Sequence, residues 1–558
     1  MKPNDPCLTA AVGLAVLIAA WPTAAQPQPQ GSERDRLMQA ARTAFESVPA
    51  PRRGLLSGGA ANMMQLLQFN RTRQGMGGAA APASAAETPV IAAALPPLPG
   101  AGVTRVSNPR LDFTRSVTTG FTQSGTATAW CADSLVVGYN DSGSLLETME
   151  AGEGLSFIGF SLSQDNGRTF LDLGSLPPDP NPDTLLGGNP SVVCTNADLF
   201  HFSSLFLAMT DTGLVSGVSV SHSTNGGAVW DRPVLAVGKD ASQHMIDKDW
   251  VTADPAHPNN VFVTYSDFGA FGVDPSCATY PTTVELVRST DAGATWSQPV
   301  VLESVCGFDA FVQGSQVTVG NAGEVFVVWE RSMSTAIREI VFAKSTNGGA
   351  SFSAPVVVSD VTCAGDCFHL QGGFRSGLEY PGLALDRSAT AMRGNLYVAW
   401  ADGRNLQVSD EASPMGFYGY ADILLKRSTD GGASWSELIT VNHDRPKMNT
   451  DQYQPAIAVD KRGAVAVCYY DRMPDPFNVN IFRSCSLTRD AGAHWTLRRI
   501  PTPFYAPIHG ADTQVDPLYM GDYDGLASDT TFTTAGFVGG FVTVSRSGNQ
   551  DVLANRTQ

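Results

Sequence analysis

Positive charge is scarce in this chain of 558 residues: Lys plus Arg number 36 against 53 Asp plus Glu, a net charge of −17. So acidic a chain is a poor partner for nucleic acid or an anionic membrane surface. Long apolar runs are scarce too. The one at residues 8–21 is too short for a comfortable membrane span, and no other stretch qualifies. Charged residues of both signs make up only 16%, whereas 55 Gly and 35 Pro are present, a balance that suits many short strands joined by turns. Histidines do not gather beside the cysteines at ligand spacing, which makes a metal site the lesser reading of those cysteines. No metal and no cofactor is expected.

The N-terminus has the order of a secretory signal: Lys2, the apolar run, then Thr23-Ala24-Ala25 as small residues before Gln26. Residues 1–25 are therefore expected to be removed, leaving a secreted protein, extracellular or periplasmic. Cys7 precedes the apolar run and does not look like a lipid attachment site. Eight cysteines remain: Cys131, Cys194, Cys277, Cys306, Cys363, Cys367, Cys468 and Cys485. An even number in an exported chain favours disulfides. Cys468 and Cys485 fall on successive strands and could meet, and Cys363 and Cys367 share a loop; the full pairing stays open. Residues 26–104 read as a low-complexity region and linker, with a short amphipathic helix over 32–48 and an Ala/Pro/Gly-rich spacer over 77–100. No chemistry is assigned to them.

What the chain has in abundance is one short motif. It reads SQDNGRTF from Ser163, STNGGAVW from Ser223, STDAGATW from Ser289, STNGGASF from Ser345, STDGGASW from Ser428 and TRDAGAHW from Thr488. Such self-similarity marks a repeat architecture. Each copy suits the tip of a β-hairpin: the third-position acid or amide accepts turn N–H groups, and the Gly two residues on takes a positive φ. The aromatic returns to the interior. Asn225 and Asn347 replace Asp in two copies, and an amide oxygen can serve equally. Six catalytic centres in one chain are not credible, so the motif is a structural staple.

Short apolar runs precede each motif. The clearest unit is QPAIAVD at 454–460, AVAVCYYD at 464–471, NIFRSCSLT at 480–488 and HWTLRRI at 494–500. Four antiparallel strands per unit make a propeller blade. Comparable units start near Ala127, Asn189, Asp249, Gln313, Tyr380, Asp451 and Gly521. The expected fold is all-β, a propeller of seven blades in preference to six, occupying 105–558, with RVSNPRLDF at 105–113 completing the truncated last blade.

The staples lie between the third and fourth strands, so functional residues belong on the opposite face, where inner strands start and second strands end. Second-strand ends carry an aromatic, one residue, then a charge: Tyr139/Asp141, Tyr265/Asp267, Trp329/Arg331, Trp400/Asp402 and Tyr469/Asp471, with Arg404 and Arg472 close behind. Inner-strand starts carry Asp247, Asp249 and Trp250, then Gln313, Arg375, Glu379 and Tyr380, then Asp451 and Gln452, then Asp522, Tyr523 and Asp524. Acids, arginines and aromatic faces around one funnel suit a glycan. The plainer reading is that each Asp caps the next turn. Arg331, Arg375, Arg404 and Arg472 would repel one another unless nearby acids neutralise them or an anionic ligand arrives.

The six staples resemble the Asp boxes, or BNR repeats, of the sialidase (neuraminidase) superfamily. DKDW from Asp247, VAWADGR from Val398, DQYQPAIAVD from Asp451, YYDR from Tyr469 and GDYDGLA from Gly521 are similar to secreted bacterial sialidase-like propellers. The resemblance implies an exo-α-sialidase-like glycoside hydrolase acting on extracellular, sialylated glycans. It implies Tyr523 as nucleophile with Glu379 as helper, and Asp249 or Asp267 as acid/base. Arg375, Arg404 and Arg472 would grip the sugar carboxylate bidentately, with Arg331, Trp250, Asp402 and Asp471 lining the site. The early Arg-Ile-Pro motif of active sialidases has no match; Asn108-Pro109-Arg110-Leu111 is a poor substitute. The alternatives are a non-catalytic propeller that binds a glycan or protein, and a lyase or hydrolase acting on other acidic sugars. A monomer is expected.

Overall fold

In the computed structural model, residues 33–57, 60, 102–109, 122–334, 337–375, 379–413, 415–442, 448–505, 519–544 and 550–558 are described. The signal segment, the spacer and Arg110 to the end of RVSNPRLDF lie outside them.

Seven antiparallel sheets form a ring. Their inner strands are Gln123–Cys131, Ser191–Cys194, His244–Asp254, Phe311–Val319, Gly382–Leu385, Gln452–Val459 and Leu526–Ser528 for blades 1 to 7. Each packs against the next, and the seventh returns to the first, so the circle closes. Blade 2 also carries Thr184–Leu186, paired with Phe200–Thr210, the strand that its inner strand joins. The last blade takes its outer strand from the start of the ring: Val103–Arg105 pairs antiparallel with Gln550–Thr557, Val103 facing Asn555. Closure by an early segment is as expected, but its strand starts two residues before the segment at 105–113, and only Arg105 is shared.

The all-β reading holds because the second strands are near-continuous apolar runs bounded by turns: Val465–Asp471 is buried throughout. Trp329 and Trp400 on second strands are fully buried, as are Tyr139, Tyr265 and Tyr469 at equivalent places. These large side chains fill the wedge between neighbouring blades. Four disulfides add covalent ties, and they use all eight cysteines. Cys468–Cys485 bridges directly opposed residues of blade 6. Cys131–Cys194 joins the inner strands of blades 1 and 2. Cys277–Cys306 ties a blade 3 loop to its outer strand, and Cys363–Cys367 closes a five-residue loop.

All six staples share one geometry. The leading hydroxyl accepts from the Gly N–H four residues on, at 2.8–3.0 Å, and donates to the acid or amide. That side chain in turn accepts the N–H of the residue four beyond it, as Asp430 does from Ser434 at 2.9 Å and Asn347 from Ser351 at 3.0 Å. Glycine is required: Gly432 has φ +88°, and a Cβ there would lie 2.1 Å from the Phe342 ring. The staple tips bond to the turns between first and second strands, as Asn166 does to Asp133 and Ala292 to the Asn259 carbonyl. The staples and those turns therefore occupy one face.

Residues before the ring do not simply link it to the N-terminus. Helix Glu33–Ser47 packs on blade 2 strands, and Leu37, Met38, Ala41, Ala44, Leu55 and Leu56 share a core with Leu205, Leu207, Met245 and Phe268.

Candidate functional site

The face opposite the staples is built from inner-strand starts, and these repeat a backbone device. One residue near the start takes a left-handed φ in six blades: Gly125 (+57°), Asn189 (+56°), Lys248 (+53°), Gly314 (+70°), Gln454 (+50°) and Gly521 (+118°). In blade 3 the pairing slips there. Asp247 faces Ser266 and Trp250 faces Thr264, so Lys248 and Asp249 together oppose the single residue Tyr265. This is a β-bulge. It breaks the alternation that would send neighbouring side chains to opposite faces, and three charged residues in succession enter the interior. All three are buried. A non-glycine residue in this conformation is strained, and such strain gathers at functional sites.

Around the bulge the blades converge. Lys248 Nζ sits 3.5 Å from the Tyr523 ring centroid, 5.1 Å from Trp250 and 5.7 Å from Tyr380. Trp250 meets Tyr523 edge-on at 5.7 Å. The Tyr523 hydroxyl donates to the Pro190 carbonyl at 2.8 Å. Asp247 accepts from Asn189 Nδ2 (2.8 Å), Gln313 Nε2 (2.9 Å), the Lys248 N–H (2.8 Å), and both the N–H and hydroxyl of Ser57 (2.5 Å each). Asp249 Oδ2 accepts from Ser203, while its Oδ1 is buried without a hydrogen-bond partner among the described residues.

Burial dominates the electrostatics here. It raises Asp249 well above the usual carboxylate range, against the Ser203 hydrogen bond and the Lys248 charge. It lowers Lys248, against the pull of Asp249, Asp522 and Asp247. The Tyr523 phenol is pushed far up by burial and then by Asp249 and Asp522. Two arginines at the rim of the cluster are already paired: Arg483 with Asp524 at 2.8 Å, and Arg338 with Glu379 at 2.6 Å and Glu330 at 3.2 Å.

The structure thus brings Tyr523, Asp249 and Trp250 into one cluster, with Glu379 in the adjoining ion-pair group. The other candidates lie elsewhere. Asp267 binds Lys239 (2.8 Å) and His244 (2.7 Å) between blades 2 and 3. Arg331 is held by Glu303 (2.6 Å) and Glu339 (2.7 Å). Arg404 forms a fork on Asp402 at 2.8 and 2.7 Å. Arg472 is buried and donates to the carbonyls of Gln371 (3.2 Å) and Asn478 (3.1 Å), 3.5 Å from Asp451. The Arg375 backbone pairs with His369; its side chain lies outside the described residues. Asp402 and Asp471 each accept the N–H two residues on, as turn caps do, and Asp141 caps the helix Ser142–Ala151.

A separate cleft opens on the same face, and none of its lining residues belongs to the cluster. It holds about 550 Å³ and is lined by Asp366, His369, Gln371, Asp410, Tyr418 and Tyr420 among others. Tyr418 and Tyr420 meet edge-on at 5.0 Å, and the Tyr418 hydroxyl donates to Asp451 at 2.8 Å. Asp451 also accepts from Asn478 at 2.7 Å, so the cleft wall and Arg472 share one network. Lys248 and Ser57 were the residues not singled out from sequence. The DKDW string was visible, but nothing in it foretells a bulge.

Searches for relatives add the following. No family model matches, and no curated protein matches. Among solved structures the chain is similar to a Hadza microbial sialidase, at 14% identity and TM-score 0.39, covering 68% of this chain and 66% of that one. It is similar to the GH93 α-L-arabinofuranosidase of Fusarium graminearum, at 12% identity and TM-score 0.41, covering 70% and 97%. It is also similar to the Trypanosoma rangeli sialidase, at 10% identity and TM-score 0.37, covering 66% and 53%. None of them lends a residue role to this chain. No helix among the described residues is long and apolar enough to cross a membrane.

Proposed function

We propose that the protein is a secreted glycoside hydrolase acting on extracellular glycans, with Asp249 as proton donor and Tyr523 as nucleophile. One observation carries this reading: a buried carboxyl with an unpartnered oxygen, close enough to Tyr523 for its charge to act on the phenol, in a setting that holds its proton. Such a group suits general acid catalysis near neutral pH. Asp249 gives its proton to the glycosidic oxygen as the bond to the anomeric carbon breaks. The Tyr523 oxygen, once off the Pro190 carbonyl, gives its proton to Glu379, the helper carboxylate, and takes that carbon; water then attacks the same carbon, losing a proton to the Asp249 carboxylate, while Glu379 returns the proton to the departing Tyr523 oxygen. Burial and the charges of Asp249, Asp522, Asp247 and Asp524 all oppose loss of the phenol proton; the Lys248 ammonium, 3.5 Å from the ring centroid, is the cation placed to offset them. The cleft on the same face, with Tyr418 and Tyr420, has the aromatic and polar lining a sugar chain needs.

The substrate follows from the arginines. A sialoside needs free guanidinium groups for its carboxylate. Arg331, Arg404 and Arg472 are each held by acids, so a sugar without a carboxylate suits the described residues better. An exo-α-sialidase remains the specific form to test against it, with Arg375 as the arginine it would depend on. Release of 4-methylumbelliferone from an α-sialoside and an α-L-arabinofuranoside, by the native chain, Asp249→Asn and Tyr523→Phe, tests both. Turnover unaffected by either substitution would overturn the assignment. A non-catalytic glycan-binding propeller is the second reading, favoured by the hydrogen bonds that Ser57 already makes at the axis; retained glycan binding with no turnover would establish it.

A further inference from the structure

Ser57 lies far from the blades in sequence yet reaches their common axis. Its N–H and its hydroxyl both donate to Asp247, one to each carboxylate oxygen. Asn189 Nδ2 donates to the same hydroxyl at 2.7 Å while also holding Asp247. The residues that deliver Ser57 are packed, not draped. Leu56 and Ser57 are fully buried, and Ala60 nearly so. Arg52 is 2% exposed, lies over the Phe268 and Tyr280 rings at 5.6 and 5.1 Å, and donates to Thr282 and to the Gly307 carbonyl. Asp247 neighbours Lys248 and, through it, the cage of Trp250, Tyr380 and Tyr523.

A carboxylate that accepts two donors from one small group is the arrangement a sugar meets when two adjacent hydroxyls bind one acid. Ser57 presents its two donors in that manner. Asn189 and Gln313 are left with buried carbonyl oxygens that have no partner among the described residues, so the pocket holds acceptors beyond those Ser57 uses. We propose that Asp247, with Asn189 and Gln313, is a receptor for a pair of adjacent sugar hydroxyls, and that the chain's own Ser57 segment occupies it as an intramolecular plug. The proposal deepens the glycan reading above and rests on it for the ligand class. The segment covers the axial cluster whatever the ligand class. Residues 33–57 thereby gain a role that a linker would not have. Opening requires the segment to leave, by cleavage or by competition from a sugar chain.

The test uses the full chain with Ser57→Glu, which sets a carboxylate against Asp247, and the milder Ser57→Ala, which removes one donor. The first readout is trypsin cleavage after Arg52 and Arg53. The second is acylation of Lys248 by acetic anhydride, read by mass spectrometry, with near-UV circular dichroism to confirm an intact ring. The expected result is slow cleavage and a protected Lys248 in the native chain, with both rates rising about tenfold or more in Ser57→Glu and less in Ser57→Ala. Equal Lys248 acylation in native and Ser57→Glu chains would overturn the plug, as would faster cleavage that leaves Lys248 protected. Turnover of the two methylumbelliferyl glycosides is recorded in parallel. If Lys248 is uncovered by Ser57→Glu and neither glycoside is cleaved, the hydrolase reading fails and the plug stands. If glycoside turnover rises with Lys248 acylation, both are supported.

Discussion

Asp430 and Asp249 are the same side chain in opposite circumstances, on opposite faces of one ring. Asp430 is solvent-exposed and fully engaged: it accepts the Ser434 N–H and hydroxyl and the Ser428 hydroxyl, and those bonds pull its pKa down to about 2. Asp249 is buried, has one oxygen without a partner among the described residues, and is driven up by burial. The first arrangement is repeated six times with little variation; the second occurs at a strained bulge in one blade. A repeated, satisfied acid fastens a turn. An unsatisfied buried acid costs stability; Asp267, Glu330 and Asp386 also keep one such oxygen, and what sets Asp249 apart is its place beside Lys248 and Tyr523.

The strongest way to break this comparison is to make both acids amides. Asp249→Asn should lower turnover of a cleaved methylumbelliferyl glycoside by about 10²–10⁴-fold, since it removes the transferable proton. A fall of less than about threefold would show that Asp249 is as structural as its counterpart. Gly432→Ala attacks the other face. The positive φ and the approach to Phe342 together should cost about 2–4 kcal/mol, read as a lower Tm with activity per folded molecule unchanged. Loss of activity without loss of stability there would mean that the two faces are not independent.

Stability against pH sharpens the contrast further. Because the folded state raises Asp249 above its unfolded value, the carboxyl is at ease when protonated and penalised when charged. Its cost is absent below pH 4 and grows as pH rises through the folded value. Asp249→Asn should therefore raise stability by about 1–3 kcal/mol at pH 8 and leave it unchanged near pH 4. Denaturant unfolding at the two pH values checks this, and a destabilised variant at pH 8 would contradict it.

How much of this was legible beforehand follows the same division. The staples and blades were readable because they depend on local chemistry: a hydroxyl, an acid and a glycine at fixed spacing make the same turn wherever they fall. The turn-capping role of Asp402 and Asp471 was readable for the same reason. The funnel's composition was readable too, in the acids and aromatics at inner-strand starts. Its connections were not. Which acid neutralises Arg331 or Arg404 depends on neighbouring strands, and periodicity says nothing of that. Lys248 escaped notice because a left-handed lysine has no sequence signature, and Ser57 because GLLSGGA looks like spacer until Leu55 and Leu56 find a core.

The smallest expected effect is at the staple itself. Asn225 and Asn347 already occupy the Asp position in two copies, and Asn347 accepts the Ser351 N–H while its amide donates to the Ser351 hydroxyl at 2.9 Å. Ser434 can reverse its hydroxyl in the same way, so Asp430→Asn should keep the turn and shift Tm at pH 7 by no more than about 2 °C. Only its acid response should differ. The folded state lowers Asp430, so its contribution is present above the unfolded value near 3.8 and is lost as pH falls toward about 2. The amide cannot titrate, and Asp430→Asn should therefore flatten the fall in Tm between pH 4 and pH 2 relative to the native chain. Parallel Tm curves across that range would mean that the carboxylate's charge adds nothing to the hydrogen bonds an amide also makes, and that the preference for Asp in four of the six staples has a cause outside the turn.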